Sequence, residues 1–173
     1  MKTKIFFLSI ILLLLSANVF AQKQAASAQV EAFYKFHRAG SGVFNARGVN
    51  SHKRWFTAEL NRLFQNELKR EKEFLKQNPT DKPHFGDGFP FLPYEECSSG
   101  GKLVKNVLKI GPETIRKGVA VVEVKIFQPK QCGGELTDTY KVELVKIKSV
   151  WLINDWIYSD GKRLSEDLKR SEY

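Results

Sequence analysis

The hydrophobic residues of the chain change their spacing near its middle. Up to Asn78 apolar side chains recur every three or four positions, whereas beyond Gly101 they recur at every second position. The first spacing is that of one face of a helix, and the second is that of one face of a strand. Helices followed by a run of strands indicate an α+β domain, in which N-terminal helices pack on one face of a curved antiparallel sheet.

Two helices are predicted in the first part of the chain. One covers Ala25 to Ala39 and ends at Gly40-Ser41-Gly42. The other begins near Asn50 or Ser51, whose side chains can accept hydrogen bonds from the first free backbone amides, and ends at Asn78-Pro79. The predicted buried faces consist of Val30, Phe33, Tyr34 and His37 on the first helix and Phe56, Leu60, Leu63, Phe64, Leu68 and Leu75 on the second.

Four strands are predicted in the second part of the chain. They cover Lys102 to Ile110, Thr114 to Gln128, Thr139 to Lys148 and Val150 to Ser159. Their separators are Gly111-Pro112, a Cys-Gly-Gly loop and Lys148-Ser149. The apolar positions of the third strand change phase after Leu144, which predicts a bulge or a bend in a curved sheet. A short terminal helix is expected at Leu164 to Lys169.

The segment between the two parts, residues 79 to 101, contains four prolines, four glycines and a cluster of aromatic residues. Long loops of this kind are uncommon and are often functional. Its aromatic content also fits a loop that is packed into the core.

The first 21 residues have the three-part pattern of a secretory signal peptide. Lys2 and Lys4 precede an apolar run from Ile5 to Leu15, and Val19-Phe20-Ala21 places small residues at the cleavage positions. A membrane anchor is the alternative, but the run is shorter than the ~20 residues that cross a bilayer. Cleavage leaves a single domain, residues 22–173, with no transmembrane segment. We expect this exported domain in a periplasm or as a secreted protein.

The charge of the chain is unevenly distributed. There are 28 Lys and Arg against 19 Asp and Glu, and the formal charge of +9 falls to +7 when the two lysines of the leader are removed. Residues 102 to 130 have a local charge of +5, whereas residues 78 to 101 have −3. An exported basic surface meets anionic envelope polymers, lipid head groups or an acidic protein before it meets nucleic acid. No nucleic acid is therefore expected as a partner.

The chain has two cysteines, Cys97 and Cys132, and both lie beside glycine or serine residues typical of loops. An oxidising compartment lets them pair in one disulfide, which would contribute about 3 to 4 kcal/mol to stability. Two free surface thiols are the alternative. No zinc site is predicted, because neither cysteine has a second ligand at finger-like spacing and His37, His52 and His84 are scattered.

Four stretches of the sequence resemble a known family. They are Phe33-Tyr34 on the first helix, Arg-Trp-Phe-Thr-Ala-Glu-Leu from Arg54, Asp-Gly-Phe-Pro-Phe-Leu from Asp87, and Trp-Leu-Ile-Asn-Asp-Trp-Ile-Tyr from Trp151. Together they resemble the bacterial domain-of-unknown-function family numbered 3828, which belongs to the nuclear transport factor 2-like superfamily. The resemblance covers most of the chain after the leader, and it implies export and a cone of helices wrapped by a strongly bent antiparallel sheet. The family has no established activity, so the resemblance implies no catalytic residue.

Cone folds commonly enclose a pocket, and ionisable residues that can face it are catalytic candidates. His37 and Tyr34 share a helix face. Asp155 on the last strand, or alternatively Asp87 or Glu95 in the aromatic loop, can orient a histidine or act as a base. A structural role is the alternative, with His37 partly exposed near the helix end and Asp155 bonded to backbone groups or to a lysine. There is no Gly-x-Ser-x-Gly elbow, no phosphate-binding glycine loop and no His-Glu-x-x-His helix. No cofactor and no metal are predicted.

Candidate binding residues lie in the acidic aromatic loop, at Asp87, Phe89, Tyr94 and Glu95. Without a catalytic constellation, the sequence favours a non-catalytic binding or protein-interaction module of the cell envelope. Its expected partner is an envelope protein or a small ligand in the cone pocket. One alternative is a small pocket enzyme of the isomerase or hydrolase type that uses His37 or Asp155. Another is an inhibitor or immunity-type partner of a second exported protein.

Overall fold

The computed structural model describes residues 25–40, 42–91, 96–99 and 102–170, except for the side chains of residues 96–99 and 102–103. The predicted leader lies outside the described residues. The helices are α1 (Ala26–Ala39), α2 (Ala46–His52), α3 (Ala58–Gln77) and α4 (Leu164–Asp167). The strands are β1 (Glu96–Ser99), β2 (Lys102–Lys105), β3 (Val107–Arg116), β4 (Val119–Phe127), β5 (Leu136–Ile147) and β6 (Val150–Ile157). The predicted α+β order, helices and then antiparallel strands, is confirmed.

The first helix is confirmed almost to its ends. Its predicted face is buried, and Val30 and Phe33 are completely inaccessible to solvent. The predicted start of the second helix is wrong, because a separate short helix, α2, and a 3-10 turn at Lys53–Trp55 precede α3. Thr57 begins α3, since its hydroxyl accepts a hydrogen bond from the backbone amide of Leu60. Leu75, predicted to be buried, is exposed on the last turns of α3.

The four long strands form one antiparallel sheet in the order β3-β4-β5-β6, and β1 and β2 form a separate hairpin. The predicted strand from Thr114 to Gln128 is wrong, because it contains the turn Lys117-Gly118 that joins β3 to β4. Both turn residues have positive φ, 49° and 79°, as a two-residue hairpin requires. Gly111-Pro112, predicted as a turn, lies inside β3. It falls at a register shift, so the missing N–H of the proline removes no hydrogen bond between the strands. The predicted turn Lys148-Ser149 is confirmed.

The predicted bulge is present, but its extra residue is on the neighbouring strand. Glu143 pairs with Asp155, and the next residue, Leu144, pairs with Ile153. Asn154 of β6 is therefore unpaired, and the strand bends there. The bulge changes the phase of β6, so that both Ile153 and Trp156 are fully buried.

The core lies between the helices and the inner face of the sheet. Alternate residues of β4 and β5 supply its aliphatic side, and these are Ala120, Val122, Val124, Ile126, Val142 and Leu144. Aromatic rings from α1, α3 and the loop before β1 supply its other side. The outer edge of β6 is covered at Thr57, whose amide donates to the carbonyl of Ile153 over 2.9 Å. No helix in the described part of the chain is long and apolar enough to cross a membrane.

The expected disulfide falls partly outside the described side chains. β1, which contains Cys97, lies against the 3-10 turn Lys130–Cys132, and Cys132 is not a free thiol. The side chain of Cys97 is not among those described. The pairing of the two cysteines therefore stays a prediction.

Candidate functional site

Tyr34, predicted as a catalytic candidate, is completely buried and fully hydrogen-bonded. Its hydroxyl donates to the carbonyl of Phe91 and accepts from the indole N–H of Trp156, each over 3.1 Å. Burial raises the pKa of the phenol well above its usual range. The hydroxyl thus fastens the aromatic loop to β6, and it stays neutral.

His37 forms a buried pair with His52, which the sequence did not single out. The Nδ1 atom of His52 lies 2.8 Å from the carbonyl of Gly48, and since a carbonyl only accepts, this nitrogen holds the proton. Its Nε2 atom therefore accepts from Nδ1–H of His37 over 3.0 Å. Burial, with smaller contributions from His52 and Arg38, lowers the pKa of His37 to about 4. Burial also lowers the pKa of His52, so both rings are neutral at pH 7.

Aromatic rings fill the space around this histidine pair. His37 stacks on Phe33 and lies 5.2 Å from the ring of Phe91, and His52 lies 4.5 Å from the ring of Phe89. A Cβ atom at Gly48 would lie 2.4 Å from the carbonyl oxygen of Val43 and 3.0 Å from the ring of Phe89, so glycine allows both groups to pack closely beside α2. The interior of the fold is therefore a packed aromatic cluster at the place where a catalytic pocket was expected.

Asp155 is buried on β6, away from the histidine pair. Its carboxylate accepts hydrogen bonds from the backbone amides of Trp156 and Ser165, from the hydroxyl of Ser165 and from Nε of Arg163, over 2.6 to 3.0 Å. These bonds fold the segment after β6 back onto the sheet. Asp155 thus has the structural role that the sequence left open, and the structure does not bring it together with His37.

The binding candidates of the aromatic loop lie in different environments. Asp87 is exposed and forms an ion pair with Lys82. Phe89 is buried, and its ring stacks on that of Phe91. Tyr94 and Glu95 lie outside the described residues.

A polar cleft of about 420 Å³ opens where β5 begins and β6 ends. Its lining residues are Asp138, Tyr140, Tyr158, Ser159, Asp160, Lys162, Arg163, Asp167 and Arg170. Tyr140 and Tyr158 meet edge to face, with ring centroids 5.4 Å apart. Burial, more than the neighbouring carboxylates, raises the pKa of both phenols. Both remain neutral, and Tyr158 donates to the carbonyl of Pro90 over 3.3 Å.

The charged groups of the cleft balance one another. Lys162 lies 2.7 Å from Asp160, and Arg170 lies 3.7 Å from Asp167. Arg163 pairs with Asp155 and also with Glu143, at 2.9 Å. The cleft therefore presents polar groups of both signs without a net excess of either.

His84 fixes the helical wall of the cleft. Its two ring nitrogens lie 3.1 Å from Glu67 of α3 and 3.1 Å from Asp167 of α4. The hydrogen bond to Glu67 is the largest cause that raises the pKa of His84. Arg70 also binds Glu67 and donates to the carbonyl of Leu168 over 2.6 Å. Helix α4 is thus tied to α3 from two sides.

Sequence reasoning did not find the cleft, because its residues belong to two separate stretches, 138–140 and 158–170, that meet only when the chain folds back after β6. Tyr140 and Tyr158, at matching ends of neighbouring strands, were the available signal. Among the described residues no group of three or more His, Cys, Asp or Glu side chains is placed to hold a metal ion. Comparison with family models, with curated proteins and with solved structures gave no match to the chain.

Proposed function

We propose that this chain is a non-catalytic binding module and that the polar cleft is its ligand site. The observation behind the proposal is the contrast between two spaces. The interior, where an enzyme pocket was expected, is filled by aromatic rings. The cleft is open and is lined by hydroxyl, guanidinium, ammonium and carboxylate groups, which can donate to or accept from a polar ligand.

The ligand that fits this cleft is a small polar molecule without net charge, or a zwitterion. Lys162, Arg163 and Arg170 face Asp138, Asp160 and Asp167, so a strongly anionic or cationic ligand would meet as much repulsion as attraction. A zwitterion, such as a short peptide with free termini, can pair with both signs. The edge-to-face tyrosines offer it an apolar wall with neutral hydroxyls.

The alternative pocket enzyme has less support. A general base needs a free lone pair beside the substrate, but the oxygens of Asp155 are occupied by four donors. His37 has a low pKa and lies among phenylalanine rings. Neither residue lines the cleft.

We also propose export through the amino-terminal leader and, as the family resemblance implies, a nuclear transport factor 2-like cone. The three-part pattern of residues 1–21 supports export. Helices packed on the inner face of a bulged antiparallel sheet support the cone. Amino-terminal sequencing of the protein recovered from the producing cell tests the first proposal, and an unprocessed Met1 would contradict it.

Thermal unfolding with a panel of probes tests the cleft. Neutral dipeptides with free termini are expected to raise the melting temperature in a concentration-dependent way. Succinate and a linear diamine, which have one sign of charge, are expected to have less effect. The double variant Lys162→Ala, Arg170→Ala is expected to lose the response, whereas the matched control Lys69→Ala, Lys72→Ala on α3 keeps it. Equal responses in both variants, or none in the native protein, would refute the cleft as the ligand site.

A further inference from the structure

The end of the sheet opposite the cleft has a different surface. The turns Lys117-Gly118 and Lys148-Ser149 lie at this same end, because Val119 pairs with Val145 just beyond the first turn, and Ile147 pairs with Val150 across the second. We call this region, residues 115–119 and 145–152, the hairpin end.

Five aliphatic side chains share the outer face of the sheet at the hairpin end. The register places Val119, Val145 and Leu152 in one row and Ile147 and Val150 in the next. They alternate with buried residues such as Ala120 and Leu144, so they point away from the core. Ile147 and Val150 are 45% and 53% exposed. A contiguous group of aliphatic residues that reaches the surface is a candidate interaction surface.

Cations border this aliphatic patch. Arg116 pairs with Val119 and so lies on the same face, while Lys117 and Lys148 occupy the two turns, and all three are exposed. Neither stretch 114–121 nor stretch 144–154 contains a carboxylate. Just outside these stretches, Glu113 accepts hydrogen bonds from Ser27 of α1, and Glu143 accepts one from Asn154 and pairs with Arg163.

We propose that the hairpin end docks on the surface of an anionic phospholipid bilayer. Aliphatic side chains with a basic border match such a surface, since the apolar groups enter the boundary between head groups and acyl chains while lysine and arginine meet phosphate. A second copy of this chain fits less well, because a symmetric contact of patch on patch would bring the basic border of one copy close to the basic border of the other. This inference goes beyond the proposed function, because none of these residues lines the cleft.

Vesicle co-sedimentation tests the proposal with the protein recovered after export, so that all variants share one amino terminus. The native protein is expected to bind vesicles made of equal parts of phosphatidylcholine and phosphatidylglycerol, and not vesicles of phosphatidylcholine alone. Binding is expected to weaken as salt is raised. The triple variant Arg116→Glu, Lys117→Glu, Lys148→Glu is expected to lose about a hundredfold in affinity. The variant Ile147→Ser, Val150→Ser is expected to lose about tenfold.

A charge-matched control separates the patch from the net charge. The variant Lys35→Glu, Lys69→Glu, Lys72→Glu has the same net charge as the triple variant, but its changes lie on the exposed faces of α1 and α3. It is expected to keep most of the binding. An equal loss in this control would overturn the proposal, as would equal binding to both kinds of vesicle. Dimerisation that disappears in Ile147→Ser, Val150→Ser would assign the patch to a second copy and would also overturn it.

The cleft variant Lys162→Ala, Arg170→Ala keeps the two proposals apart. We expect it to bind anionic vesicles like the native protein. Loss of its dipeptide response with vesicle binding intact supports both sites, and failure of either assay leaves the other result standing.

Discussion

The two ends of the four-stranded sheet are built in opposite ways. At the cleft end, α4 and the segment before it fold back and are held by Asp155, by Arg163 and by His84. At the hairpin end, about 25 Å away along β5 at 3.3 Å per residue, β3 joins β4 and β5 joins β6 through two-residue turns. Every cation of the cleft has a carboxylate nearby, whereas stretches 114–121 and 144–154, which carry the cations of the hairpin end, contain none. Compensated charges in a fixed wall suit a small ligand of defined shape, and uncompensated charges on exposed turns suit an extended anionic surface.

The largest difference between the two ends is expected when Asp155, which holds the segment after β6 against the sheet, is replaced. Asp155→Ala leaves Arg163 with one carboxylate partner and leaves buried donors of Trp156 and Ser165 unsatisfied. The donors left unsatisfied cost about 1 to 3 kcal/mol each. Urea denaturation should show this destabilisation, whereas Arg116→Ala at the hairpin end should change the free energy of unfolding by less than about 0.5 kcal/mol. Similar small effects of both substitutions would show that Asp155 does not stabilise the cleft end.

The predicted disulfide would strengthen the same end of the sheet, since the turn Lys130–Cys132 connects the end of β4 to the start of β5. Reduction of the bridge is expected to lower the free energy of unfolding by about 3 to 4 kcal/mol. Urea denaturation with and without reductant measures this change. Thiol titration of the denatured, unreduced protein should find no free sulfhydryl, and a stoichiometric signal from both cysteines would disprove the pairing.

Acid is expected to lower the free energy of unfolding without changing the charge of the hairpin end. The pKa of His37 falls from 6.5 in the unfolded chain to about 4 in the fold. Its stabilising contribution is therefore complete above pH 6.5 and is lost as the pH falls through 4, up to about 3 kcal/mol. The lowered pKa of His52 acts in the same direction.

His84 has the opposite dependence, because its pKa is raised by the bond to Glu67. Its contribution to stability is present below pH 6.5 and is lost as the pH rises through its folded value.

The effect of His37 is tested by substitution. The free energy of unfolding of His37→Gln, measured from pH 7 to 4, should vary less than that of the native protein. If the free energy of unfolding of this variant depends on pH as steeply as that of the native protein, the pH dependence does not come from His37.

The smallest predicted effect concerns the two turns of the hairpin end. Lys117-Gly118 has glycine at its second position, but Lys148-Ser149 has serine there with φ of 88°. A side chain in this region is strained, so Ser149→Gly is expected to stabilise the protein by about 1 kcal/mol. The reverse change in the other turn, Gly118→Ser, should destabilise it by a similar amount. Thermal melting of both variants measures the two changes in stability. If both changes had the same sign, strain in the turns would not be their cause.

The sequence predicted the features that depend on neighbours in the chain. The buried face of α1 and the turn Lys148-Ser149 follow from spacing and turn residues, and the structure has both. The sequence did not predict the turn Lys117-Gly118. An unbroken run of strand-forming residues surrounds this turn, and Gly111-Pro112 is the more conspicuous strand breaker. Proline fits inside β3 only because a bulge frees that position from the ladder.

The candidate sites show the same division. Tyr34 and His37 were correctly placed on one buried face, since helical period alone decides that. The partner of His37 was not predictable, because His52 is on another helix and the contact depends on how α1 and α2 pack around Phe89. The role of Asp155 depended on Ser165 and Arg163, which follow a turn after β6.

Thus the sequence by itself determined the order of helices and strands and which side of α1 is buried, because hydrophobic periodicity is a local property of the backbone. Only the tertiary structure decided which polar groups meet. Strand register brought the aliphatic patch and its cations to one end, and the fold-back after β6 brought the cleft residues to the other. Both depend on contacts between segments far apart in the chain, and no local pattern specifies them.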